Sequence, residues 1–151
     1  PDATANNRNL GSSTKQWNTV YATTFEGTAT NAQYADLAEK YLADDVYETG
    51  TVIAVGGDAE VTAAHDDIAH SVLGVVSDAP AFLMNKDLEN GTVIALKGRV
   101  PVKCIGTVRK GDRLAPSHFA GYATVDNSRT AWSFAIALED GVDGLVEAVI
   151  L

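Results

Sequence analysis

One cysteine, one methionine and four prolines stand in a chain of 151 residues. The single cysteine, Cys104, excludes a disulfide inside the chain, and with it the stapled framework of small secreted domains. It lies in the alternating apolar run VPVKCIG (100–106) and reads as a buried small hydrophobe, since a reactive thiol wants cationic, exposed surroundings. Positive charge is scarce: 11 Lys and Arg face 20 Asp and Glu, for a net charge of -9. Phosphate contacts need concentrated basic side chains, so nucleic acid is not an expected partner. No run reaches the roughly 18 apolar residues of a membrane-spanning helix, so membrane insertion is not expected. No signal peptide is visible in the sequence, and none is expected. The chain begins at Pro1 without a methionine, as expected of a processed or truncated piece of something longer. There is no phosphate loop, no dinucleotide fingerprint and no Gly-x-Ser-x-Gly elbow. The expectation is therefore no catalytic residue, no cofactor and no metal.

What is present begins with an unusual first quarter. Residues 9–41 are polar, rich in small residues and dotted with single aromatics. They cannot close a core, yet they lack the Pro, Glu and Lys bias of a disordered tail. Such a segment orders by packing on copies of itself or on another chain. Within residues 1–28, Trp17, Val20, Tyr21 and Phe25 alternate with Ser, Thr and Asn between Gly11 and Gly27, the composition of short strands. Three copies around an axis would pool these side chains into a narrow apolar column.

Residues 29–45 change period. Ala32, Ala35, Ala38 and Leu42, with Tyr34, Leu37 and Tyr41, recur at three and four residues and predict a short helix capped at Thr30 or Asn31. That helix either lies on its own domain or forms a collar where identical helices meet along the alanine stripe. From Val46 the pattern is β. Strands are expected at 50–55, 59–64, 71–77, 121–125, 131–138 and 144–151, with turns of Gly or Asp between them. The run 91–106 reads as one long strand or two, broken near Gly98 and Pro101. Residues 79–85 read as a loop with large apolar anchors. Regular strand spacing without βαβ alternation predicts a small barrel or sandwich. GTVIA occurs twice, at 50–54 and 91–95, either as a duplicated hairpin or as a favourable start to a buried strand.

Several polar clusters carry side chains of site chemistry. His65, Asp66, Asp67 and His70 have metal-ligand chemistry. The His-to-His spacing, however, turns the rings about 140° apart on a helix and to opposite faces on a strand. A polar loop is expected there. Asp112, Ser117 and His118 could form a hydrolytic triad only by convergence in space. Asp44-Asp45 and Glu139-Asp140 read as solvated loop acids. Arg109, Lys110 and Arg113 flank a Gly-Asp turn, either a solvated turn or a basic knob that meets an acidic partner. Phe119, Tyr122 and Trp132 are the aromatics available for a carbohydrate-binding surface.

The run LGSSTKQWNTVYATTFEGTATNAQYADLAEKY (10–41) resembles the terminal shaft of bacteriophage tail fibres and virion appendages. YADLAEKYLADDVYETGTVIAVGG (34–57), LGVVSDAPAFLMN (73–85) and ALKGRVPVKCIGTVRKGDRLAPS (95–117) resemble the C-terminal head domains of such proteins. Some relatives are intramolecular chaperones that trimerise the fibre and then cut themselves off. The resemblance implies a virion structural protein and a homotrimer. Its other partners would be virion proteins and a host-surface receptor. It implies a shaft at 1–28, a helical collar at 29–45 and a β-rich head at 46–151. Trp17, Tyr21, Phe25, Ala32, Ala35, Leu37 and Ala38 would hold three copies in register. Phe82, Leu83, Met84, Arg109, Lys110 and Arg113 are the candidate partner contacts. In self-cleaving relatives a hydroxyl or carboxylate near the shaft–head junction does the work. Here the junction offers Thr28, Thr30, Asn31 and Asp36 but no serine, and self-cleavage stands as the alternative.

Overall fold

The computed structural model describes residues 12, 14, 15, 17, 18, 36–128 and 132–151. The chain divides into two units, Pro1–Thr30 and Asn31–Leu151. In the first, the Ser12 amide donates to the Lys15 carbonyl at 2.9 Å and the Lys15 amide donates back at 3.1 Å, closing a small turn. Trp17 beyond it is 64% exposed. Tyr21, Phe25, Ala32 and Ala35 lie outside the described residues, as does any intertwined arrangement of the first quarter.

The regular structure of the second unit is almost wholly strand. In chain order they are β1 (Asp36–Tyr41), β2 (Val52–Val55), β3 (Val61–Ala63), β4 (Val72–Val76) and β5 (Phe82–Met84). There follow β6 (Thr92–Val108), β7 (Arg113–Pro116), β8 (Ala123–Val125), β9 (Ala135–Ala137) and β10 (Gly141–Ile150). A 3-10 helix, Asp66–Ser71, precedes β4. No helix among the described residues is long and apolar enough to cross a membrane.

Strand β6 organises the unit, because its two halves serve two sheets. Its C-terminal half pairs antiparallel with β10, β10 with β9, β9 with β7 and β7 with β8. Strand β8 then returns in parallel to β6 at Cys104 and Ala123, which closes a five-stranded barrel. The inward set follows the strand period of two: Val100, Val102 and Cys104 on β6, Ala135 and Ala137 on β9, and Val146, Ala148 and Ile150 on β10. A five-stranded barrel is narrow. Alanines at 123, 135, 137 and 148 leave room for the valines and Leu114 inside it.

The N-terminal half of β6 lies in an open sheet, paired with β1 and β4. Strand β4 continues through β2 to β3, and β1 carries β5 at the rim. This sheet is buried on two faces. Val52, Ala54, Val75 and Ala95 join the barrel core, whereas Ile53, Val61, Val76 and Ile94 make a second cluster under Tyr41, Tyr47, Leu73 and Leu96. That explains the unbroken apolar runs of β2 and β4.

Neither Gly98 nor Pro101 breaks β6. Gly98, at φ +108°, stands opposite Asp36 at the start of β1 and Ile150 at the end of β10, so it sits where one sheet hands over to the other. Pro101 stands opposite Glu147, whose amide donates to the Glu139 carboxylate and whose carbonyl accepts from Leu138. The hydrogen-bonding groups of that pair turn away from each other, so the missing proline N–H costs no bond to β10.

Two expectations are corrected. Residues 36–41, read as part of a helix, form β1. The strand lies between β6 and β5, with Ala38 opposite Ala95 and Tyr41 opposite Thr92. Pairing to the long β6 edge outweighs a helical period written in alanine, since propensity is a weak prior against tertiary contacts. The supposed loop at 82–84 is β5, a parallel neighbour of β1.

Candidate assembly interface

An exposed apolar register pair lies on the rim made by β1 and β5. Leu37 and Phe82 are register partners there, and both face solvent, at 38% and 61% exposure. Ala38, the next residue, is fully buried within the single chain, so of that expected interface pair only Leu37 remains on the surface. Leu83 and Met84 are half-buried. Among the described residues strand β5 pairs with β1 alone, and none of them pairs with its outer backbone edge. The rim is fastened from behind. The Ala81 amide donates to the Asp36 carbonyl at 2.9 Å, the Lys40 ammonium to the Leu88 carbonyl at 3.2 Å, and the Asn85 amide group to the Lys40 carbonyl at 3.1 Å.

Asp36 opens β1 and is only 5% exposed. Its Oδ2 is buried with no hydrogen-bond partner among the described residues. An unpaired buried carboxylate oxygen is expensive, which sets this residue apart from the solvated acids elsewhere.

The expected basic knob is a turn between β6 and β7. The Asp112 amide donates to the Arg109 carbonyl at 2.9 Å, and the Arg109 amide donates to the Asp112 carboxylate at 2.8 Å. Arg109 and Lys110 are exposed at its tip. Arg113 does not join them: it lies on β7, and its guanidinium donates to the Ser133 hydroxyl at 3.0 Å.

The polar clusters do not converge on a reaction centre. Ser117 is 1% exposed, and its hydroxyl donates to the Phe119 carbonyl while accepting from the Phe119 amide. It is a turn-former, and His118 beside it leans on the Phe119 ring at 4.2 Å. Asp112 is occupied in its own turn and by Asn127, whose hydrogen bond, ahead of the Arg109 amide, holds the carboxyl below its ordinary range. His65, Asp66 and Asp67 bring one ligand-type atom each within 4.8 Å of one another, and the two aspartates are exposed. His70 faces elsewhere, its ring edge-on to Trp132 at 6.3 Å. The loop acids serve as caps: Asp44 accepts from the Tyr47 hydroxyl and Asp140 from the Lys110 amide.

The three candidate aromatics divide between two places. Phe119 and Tyr122 border one hollow with Ile105 and Gly144, while Trp132 borders another with His70. Sequence spacing gave no sign of the Leu37–Phe82 pair, the burial of Asp36 or the His70–Trp132 contact, because each joins or depends on segments far apart in the chain.

No protein-family model and no curated protein matches this chain. Solved structures that share its fold include two forms of one phage protein. The C-terminal fragment of bacteriophage phi29 gene product 12 is 17% identical with a TM-score of 0.57, covering 77% of this chain and 99% of that one. The pre-mature bacteriophage phi29 gene product 12 is 16% identical with a TM-score of 0.59, covering 80% of this chain and 22% of that one. At these identities the likeness is one of fold, and the chain spans about a fifth of the pre-mature protein's length.

Proposed function

We propose that this chain is the C-terminal part of a homotrimeric bacteriophage fibre or appendage, a component of the virion whose β unit holds three copies in register. It acts on no external substrate in this reading. The carrying observation is the fold likeness to nearly the whole phi29 gene product 12 C-terminal fragment. The exposed Leu37–Phe82 contact on the rim supplies a surface for assembly. A short strand with an open edge and an exposed phenylalanine is a liability in a monomer. Burying one such side chain is worth about 1.5–3 kcal/mol, and an obligate oligomer gains that at every copy. The first quarter of the chain, too poor in apolar residues to fold alone, would be held by the same association. The test is the solution mass of Leu37→Asp and Phe82→Asp beside the parent chain. Loss of the trimer with an intact β spectrum supports the reading, and an unchanged trimer removes this rim from it.

Self-cleavage is the second reading, favoured by Asp36. A buried carboxylate whose Oδ2 has no partner among the described residues stands at the start of β1, and the two neighbours are a pre-mature form and a C-terminal fragment. Intact-mass measurement of the full chain over days, beside Asp36→Asn, decides it. A stable single species in the parent rules it out.

A further inference from the structure

We propose that a cavity beside the barrel binds one neutral pyranose sugar, with Trp132 as its stacking platform. The cavity, about 260 Å³, lies among the 3-10 helix, the segment before β9 and the end of β10. Trp132 is 63% exposed, whereas Phe134, two residues on, is turned into the core at 9%. The indole is thus the side chain this segment leaves outside. It is not left loose, because the His70 ring meets it edge-on at 69°.

The lining is mixed, and that narrows the occupant. Leu73 and Leu96 give apolar wall, while His70 and Ser133 bring an imidazole and a hydroxyl to the same space. The Ser133 oxygen accepts from Arg113, which leaves its hydroxyl hydrogen free to donate. A wholly apolar occupant would strand these groups. A pyranose ring satisfies both kinds of surface, with C–H bonds on one face for the indole and hydroxyls at its rim for the imidazole and serine. The volume falls below the roughly 300–1,000 Å³ of drug-sized sites, which suits a single ring. The chain's net charge of -9, with Asp66 and Asp67 exposed on the same 3-10 helix, outweighs the single Arg113 guanidinium on Ser133 and disfavours an anionic sugar. This site does not depend on the assembly reading.

The experiment uses the full chain and records the two indole N–H signals by NMR while glucose, galactose and N-acetylglucosamine are added singly. Affinity for one ring is expected in the millimolar range, so additions run to about 50 mM. The expected result is a saturable shift of the Trp132 signal with at least one sugar and no shift of Trp17. Trp132→Ala abolishes binding, and Trp132→Phe, which keeps a ring, retains part of it. Three results overturn the proposal: no shift with any of the three sugars, a saturable sugar response that persists in Trp132→Ala, or a Trp132 indole already shielded from solvent by another copy.

Discussion

Ile53 and Ile94 flank strand β4 from opposite sides and are both fully buried in the same apolar cluster. They are the fourth residues of the two GTVIA segments. Each segment sends its isoleucine to this cluster and its following alanine, Ala54 or Ala95, to the barrel core. The repeated pentapeptide therefore does one structural job twice, as the two antiparallel neighbours of one strand.

Ile53→Ala and Ile94→Ala should each cost about 2–5 kcal/mol, and the corresponding valine substitutions about 0.5–1.5. Urea denaturation at fixed protein concentration checks this. Val76 lies opposite Ile94 in the same cluster, so the double alanine variant should depart from additivity. Costs near zero would mean that the second cluster is not a core.

Gly74→Ala should abolish folding. A β-carbon there would stand 2.0 Å from the Ala95 carbonyl oxygen, one residue before the β4–β6 pairing and opposite Ile53 of β2. Backbone on both sides cannot yield without parting the sheets. Circular dichroism of the variant settles the matter, and a native spectrum with an unchanged melting point would contradict the close approach.

Cys104 is 1% exposed, and burial pushes its thiol up to about 11. It should resist alkylation by iodoacetamide at pH 8 and react only after unfolding. A raised folded value favours the neutral thiol. Its contribution is whole below the unfolded value and is lost as pH rises through 11, so the melting point should fall in that alkaline window.

Asp44 and Asp112 are held below the ordinary carboxyl range, the first chiefly by the Tyr47 hydroxyl and the second chiefly by Asn127. A depressed folded value gives stability that is present above the unfolded value, near 3.9, and lost as pH falls through the folded one. Asp44 is exposed and Asp112 only half-buried, so the loss should be modest. Melting curves from pH 6 down to about 2 should show it, with a shallower decline for Asp112→Asn.

The strands of the β unit were readable because their apolar residues alternate or run between Gly and Asp turns, as in β2, β4 and β10. Barrel closure was only half readable. Spacing predicts a barrel or sandwich, but the parallel return of β8 to β6 rests on a single register pair, Cys104 with Ala123, that no local pattern announces. Strand β1 misled because alanine at position 38 serves a helix stripe or a tightly paired strand equally well. The candidate rim was visible as residues and invisible as a surface. Phe82 looked like an anchor, and its pairing with Leu37 spans 45 residues of sequence.

Multi-angle light scattering on the full chain at micromolar concentration tests the assembly account most directly. A mass three times that of the chain, lowered to one by Leu37→Asp or Phe82→Asp, is the result expected. A parent protein with the mass of one chain would contradict it.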